Sequence, residues 1–239
     1  MAQARGVREQ DLSPELARIE RAVDDGSDDL AGLGFWRLVK RVKLSPEAVE
    51  RHGEQIGRID AKAFRRGVPR RYPVWLGNAV LAGGTVAGAA AVWFAMQVSS
   101  DVLKGLGLVA AGALWAVSLH CLAHWLVGRL AGMRFTDYFI GGPVPPRPGL
   151  KTDYASYLRV APDRRAWMHA SGAVATKVAP FLPLFFWSAA EAPVWSAIVL
   201  LAIGAVQIVT DLLFSVRSGD WKKVLRERAV AREVAALGD

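Results

Sequence analysis

VWLGNAVLAGGTVAGAAAVWFAMQV, residues Val74 to Val98, decides the class of this chain. The stretch carries no charge and exceeds the roughly 20 residues that a helix needs to cross the hydrocarbon core of a bilayer. Three more apolar runs follow, at about Leu106–Val127, Ala166–Ala189 and Val194–Val216. The third contains Lys177, Pro180 and Pro183, so a kinked or partly re-entrant helix is an alternative there, tolerated where protein buries its backbone. The expected fold is all-α: a polytopic membrane protein with about four transmembrane helices, cytoplasmic N-terminal helices and a C-terminal amphipathic helix.

Working outward, the charges are segregated along the 239 residues. Residues 1–72 hold 15 Lys and Arg against 12 Asp and Glu, whereas the apolar runs are nearly bare. The net charge of +8 sits mainly in short segments flanking those runs, which fits an anionic membrane surface and argues against nucleic acid as a partner. Arg65, Arg66, Arg70 and Arg71 precede the first run, and seven basic residues lie between 128 and 165. Arg217, Lys222, Lys223, Arg226 and Arg228 follow the fourth run. The opposite loops carry little: Asp101 and Lys104 in one, Glu191 in the other. The positive-inside rule places both termini and the 128–165 loop in the cytoplasm, in a multi-pass protein of a prokaryotic-type plasma membrane. No cleavable signal is visible, and the single cysteine, Cys121, excludes an intramolecular disulfide.

This organisation has three parts: a cytoplasmic region at 1–72, a transmembrane region at 73–216 with its 128–165 loop, and a basic amphipathic helix at 217–239. Two helices are expected at 12–24 and 44–64, each opened by Leu-Ser-Pro-Glu, in which Ser caps, Pro occupies the first turn and Glu suits the helix dipole. An acidic turn at 24–29 separates them. Gly141–Val160 is too rich in Pro and Gly for a helix in its first half, and TDYASYLRV within it reads as a short strand or an interfacial helix. His52 reads as a surface residue. Gly83, Gly84 and Gly88 in the first span would allow close helix packing.

Chemistry points to the second span, which ends SLHCLAHWLVGRLAG. His120 and His124 are four apart, so on a helix both imidazoles share a face and can grip one metal ion. His169 begins the third span and Asp211 ends the fourth. With four spans, all four residues fall at one depth near the cytoplasmic face, where ionisable groups are costly and mark sites. His120, His124, Asp211 and His169 are therefore the expected metal ligands. Zinc suits this donor set best, and Fe(II) uses a similar one. Gln207 and Thr210 are candidate supports for Asp211, whereas an ion pair between Lys177 and Asp211 would compete with metal binding.

At these residues the chain resembles the site-2 protease family of intramembrane zinc metalloproteases. That family carries His-Glu-x-x-His on one helix, a ligating Asp on a later one, and Gly-Pro-x-x-Asn between them. The resemblance covers about Val102 to Val216. It implies His120, His124 and Asp211 as ligands, with Gly172 and Thr176 facing a substrate. Ala173 replaces the motif's Pro and Thr176 its Asn, and the Asn-Pro and Asp-Gly flanks of the family's Asp are missing. Cys121 stands where the family has the glutamate that activates water, and a thiol in apolar surroundings is a poor base. The favoured expectation is a non-proteolytic relative that binds metal, a transmembrane segment of another protein, or a partner. The alternatives are a divergent metalloprotease with Asp153 or Asp137 as base, and a metal-free proton network or transporter. Membrane hydroxylases and desaturases need more histidines than the four present.

Overall fold

The computed structural model describes residues 11–141, 147–215 and 219–238. Parts of the expected N-terminal region, of the loop after Gly141 and of the fourth span's basic flank, Arg217 included, lie outside the described residues. The chain divides into two compact units. One comprises residues 1–73, 128–165 and 226–239; the other comprises 74–127 and 166–225.

In the first unit three helices come first: α1 (Ser13–Asp24), α2 (Phe35–Val42) and α3 (Pro46–Gly67). The start of α3 is as the sequence dictates, with Ser45 Oγ accepting from the Ala48 amide and Pro46 in the first turn. The equivalent serine of α1 does not cap: Leu12 occupies that position in helical conformation and Ser13 donates its own amide to Asp11. Helix α2, not expected from the sequence, supplies Phe35, Leu38, Val39 and Val42 to a core shared with Leu16, Ile19 and Val23 of α1 and Ile56 and Ile59 of α3. His52 is buried, contrary to expectation, because α3 is covered on that side.

The unit also departs from a purely helical fold. Strand β1 (Arg71–Pro73) pairs antiparallel with β2 (Phe135–Gly141), which pairs with β3 (Arg147–Thr152). Pro73 can belong here because an edge strand needs no inward amide at every position. The short helix α6 (Tyr154–Arg159) follows, capped by Asp153 and packed so closely on α3 that a Cβ on Gly57 would lie 2.8 Å from that of Ala155.

Five elements traverse the second unit in whole or part: α4 (Val74–Gln97), α5 (Asp101–Leu130), α7 (Pro162–Val178), α8 (Val194–Thr210) and α9 (Asp220–Gly238). Three helical stretches are long and apolar enough to cross a membrane: Val74–Gln97, Asp101–Leu130 and Val194–Phe214, the last being α8 with the π turn that extends it. Much of their apolar surface is uncovered, including Val80, Val86, Trp93, Val117, Ile198 and Leu212. Water would penalise such a surface heavily, and lipid would not. The expected third span, 166–189, is not one such helix. Its α-helical part ends at Val178 and continues as a 3-10 segment, Ala179–Phe186. Pro180 and Pro183 lack the amides that an α-helix needs and crowd the preceding turn.

Of the small residues expected to pack, Gly84 and Gly88 do so between α4 and α5, whereas Gly83 is exposed with nothing within 4 Å of a Cβ placed there. Gly88 lies under Trp115, whose Nε1 donates to the Thr85 carbonyl at 2.9 Å, and Thr85 and Ser118 join their hydroxyls at 3.1 Å. A Cβ on Gly88 would come within 2.4 Å of that indole nitrogen.

Candidate metal centre

Every group in this centre belongs to the second unit. His120 and His124 stand one turn apart on α5, their ring centroids 4.7 Å apart and nearly perpendicular. Helix α7 lies beside them and fixes each ring through its Nδ1. The His124 Nδ1 is 2.6 Å from the Met168 carbonyl, an acceptor alone, so Nδ1 carries the proton. The His120 Nδ1 is 2.9 Å from Thr176 Oγ1, whose own proton goes to the Gly172 carbonyl at 3.0 Å. Thr176 therefore accepts from His120, and the two neutral rings share one tautomer. Gly172 makes room for the arrangement, since a Cβ there would lie 2.2 Å from His124 Nε2.

Both Nε2 atoms then face the same object. Asp220 Oδ2 is 3.3 Å from His124 Nε2 and 3.6 Å from His120 Nε2. Asp220 opens α9, where a carboxylate suits the helix dipole, and its other oxygen accepts from Lys223 at 2.9 Å. Burial opposes the Asp220 charge; without a metal, a proton on His124 Nε2 hydrogen-bonds the carboxylate at 3.3 Å and, together with Lys223, holds it well below its ordinary range. Val224 of α9 packs on Ala166 and Ala170 of α7, and Trp221 donates its indole N–H to Asp211, so the start of α9 is anchored on both sides.

His120, His124 and Asp220 are thus three acceptors converging within 4.8 Å of one another, buried or half-buried. Tetrahedral zinc with bonds of about 2.0–2.1 Å has ligand-to-ligand edges of about 3.3–3.4 Å, close to the spacing of the carboxylate from each ring. Two imidazoles and a carboxylate also form the three-ligand set that leaves a coordination position open. The donor chemistry fits a divalent cation, with the rings already held from behind as ligating histidines are.

Of the residues expected from the sequence, the structure brings His120, His124, Gly172 and Thr176 together. Asp211 is not in the cluster: its carboxylate takes Lys177 Nζ at 2.7 Å and the Trp221 indole, which satisfies it without a metal. His169 lies one residue beyond Met168 and is outside the converging group among the described residues. Gln207 and Thr210 do not brace Asp211 through their side chains; the Thr210 hydroxyl donates to carbonyls of its own helix, and Gln207 Oε1 is buried without a hydrogen bond among the described residues. Cys121 is buried on α5 outside the cluster. In the first unit, Asp153 uses one oxygen to cap α6 and the other to hold Arg134 at 2.9 Å, while Asp137 lies on β2 opposite Lys151.

Asp220 was missed because it lies nine residues beyond Asp211, past the end of the last apolar run, where the burial cost that flags an intramembrane carboxylate does not apply. The available signal was Gly219-Asp220 opening a helix. Comparison with family models, curated proteins and solved structures returns no match to this chain.

Proposed function

We propose that this chain is a multi-pass membrane protein that binds one divalent metal ion, zinc by preference, through His120, His124 and Asp220. One observation carries the reading: the Nε2 atoms of both rings and a carboxylate oxygen converge within 4.8 Å, with Nδ1 of each ring committed elsewhere. Three such groups at that range hold together only around a positive charge, and a metal ion can take the place of the proton that otherwise bridges His124 and Asp220. When bound, the metal supplies Lewis acidity at one open position. The chain's part is to orient the rings through Met168 and Thr176, to admit His124 beside Gly172, and to hold Asp220 ionised beside Lys223.

The protein is a non-proteolytic relative in design of the site-2 proteases. Its histidine pair supports the kinship, while the carboxylate differs: the family's ligating Asp corresponds to Asp211, and the cluster uses Asp220. Cys121 in the position of the general base opposes hydrolysis. Asp153, with both oxygens engaged, is a poor substitute.

The same geometry supports four membrane passes with both termini in the cytoplasm. His124, near the end of α5, touches Asp220, just after α8. The two ends must then share a side of the bilayer, which requires an even number of crossings between them. Val194–Phe214 supplies one, and the broken segment 166–186 supplies the other. Its α part rises about 20 Å and its 3-10 part about 16 Å, together enough for a core of about 30 Å.

Elemental analysis of purified protein tests the metal. About one zinc or iron per chain is expected, lost in His124→Ala. Wild-type protein without stoichiometric metal would leave a proton in the metal's place and end the proposal. Cleavage of a membrane substrate that disappears in His124→Ala would refute the non-proteolytic part alone.

A further inference from the structure

We propose that a cavity beside Lys43 and Arg165 in the first unit binds a small amphiphilic anion, a phosphate monoester or carboxylate carrying a short apolar chain. The charge count motivates it. Glu227 accepts Lys43 Nζ at 2.6 Å and lies 2.8 Å from Arg165 Nε and 3.2 Å from Arg226 Nε. The side chains of Lys43 and Arg165 are 4% and 2% exposed, and that of Glu227 is fully buried. Among the described residues, two buried cations share one buried carboxylate before Arg226 is counted; the Tyr157 ring faces both, 5.0 Å from Lys43 Nζ and 5.4 Å from the Arg165 guanidinium, but it carries no net charge, so surplus positive charge remains, a costly state without a counter-ion. Arg165 is also incompletely partnered. Its Nη1 donates to the Leu158 carbonyl at 3.1 Å, whereas its buried Nη2 has no hydrogen bond among the described residues.

A cavity of about 420 Å³ adjoins this pair, with Lys43 and Arg165 in its lining. Much of the remaining wall is apolar, from Val49, Leu158, Val160 and Val234. Of the other charged lining residues, Arg159 is drawn to Glu54 at 2.8 Å and Glu50 is exposed. Cations beside apolar walls select a ligand with an anionic head and an apolar body. Loss of the Lys43 proton would relieve the same surplus, but burial pulls that ammonium down only to about 8, so it stays largely charged at neutral pH.

Thermal denaturation of the full chain in non-ionic detergent tests the site, with hexyl phosphate, inorganic phosphate and uncharged hexanol as probes. Hexyl phosphate should raise the midpoint saturably and at lower concentration than inorganic phosphate, and hexanol should not. Lys43→Met removes the surplus charge while keeping the Arg165–Glu227 pair, and Val234→Trp fills the cavity without touching a charge. Each should weaken half-saturation by about tenfold or more. No saturable response in the wild type, or a wild-type response in both variants, overturns the proposal. The source of the anion is read in nanodiscs. If phosphatidic acid in the bilayer abolishes the hexyl phosphate response, a lipid headgroup fills the site; if the response persists, a soluble anion does.

Discussion

The two units each bury a polar cluster, and the clusters are unbalanced in opposite senses. Around Glu227 three cations converge on one carboxylate. Around Asp220 two histidines turn their Nε2 atoms to a carboxylate that one lysine serves from its far side. The first cluster mixes donors and acceptors, so it closes on itself and holds helices together, with charge left over. The second gathers groups that all accept when neutral, so it needs a positive charge among them, either a proton or a metal ion. Buried polar clusters thus yield a cationic tie in one place, suited to an anion, and a candidate metal centre in the other, and proton inventory rather than composition makes the difference.

Mutations should separate the clusters. The largest effect belongs to the metal: His124→Ala should remove it altogether, read by elemental analysis, while the first unit's fold survives. Glu227→Ala should cost about 3–5 kcal/mol in denaturation, because it strands Lys43 and Arg165 as buried cations. Metal content should be retained in any folded Glu227→Ala fraction; joint loss would abolish the distinction drawn between the clusters. Thr176→Val and Gly172→Ala should lower metal affinity by about 10–100-fold in competition with a chelator, the first by freeing the His120 ring and the second by displacing His124.

A smaller effect is pH-dependent and belongs to the first cluster. Lys43 titrates at about 8 when folded against 10.5 in an unperturbed chain, so between those values the unfolded state binds more protons. Stability should therefore rise with pH across that window, and Lys43→Met should flatten the rise. Glu227, favoured as a carboxylate by Lys43 and Arg165 despite its burial, works at the other end. Its contribution is present above about 4.5 and is lost as the pH falls through its lower folded value. The smallest effect sharpens the choice of ligand: Asp211→Asn should leave metal stoichiometry unchanged, because that carboxylate serves Lys177 and Trp221.

What was legible in the sequence follows local rules. The uncharged run from Val74 to Val98 implied a membrane helix from length and hydropathy alone. His120 and His124 had to share a face because four residues make about one helical turn. Ser45-Pro46 announced the start of α3. Less legible were features that depend on distant partners. β1 has three residues and needs β2 to exist. α2 carries a basic, aromatic sequence whose buried side appears only once α1 and α3 cover it. Pro180 and Pro183 warned of a broken third segment, but its 3-10 continuation is a matter of geometry.

By itself, the sequence determined an apolar, helical chain with basic flanks and a histidine pair able to grip one ion, because hydropathy, charge and helical spacing are local properties. Only the tertiary structure decided which carboxylate faces that pair. Along the chain Asp211 stands out because it lies inside the last apolar run, whereas Asp220 lies past its end. Lys177 of α7 reaches the first and neutralises it, and the packing of Val224 and Trp221 brings the second to within 3.3 Å of His124. A ligand set is fixed by which charges already have partners, and partners are assigned in space.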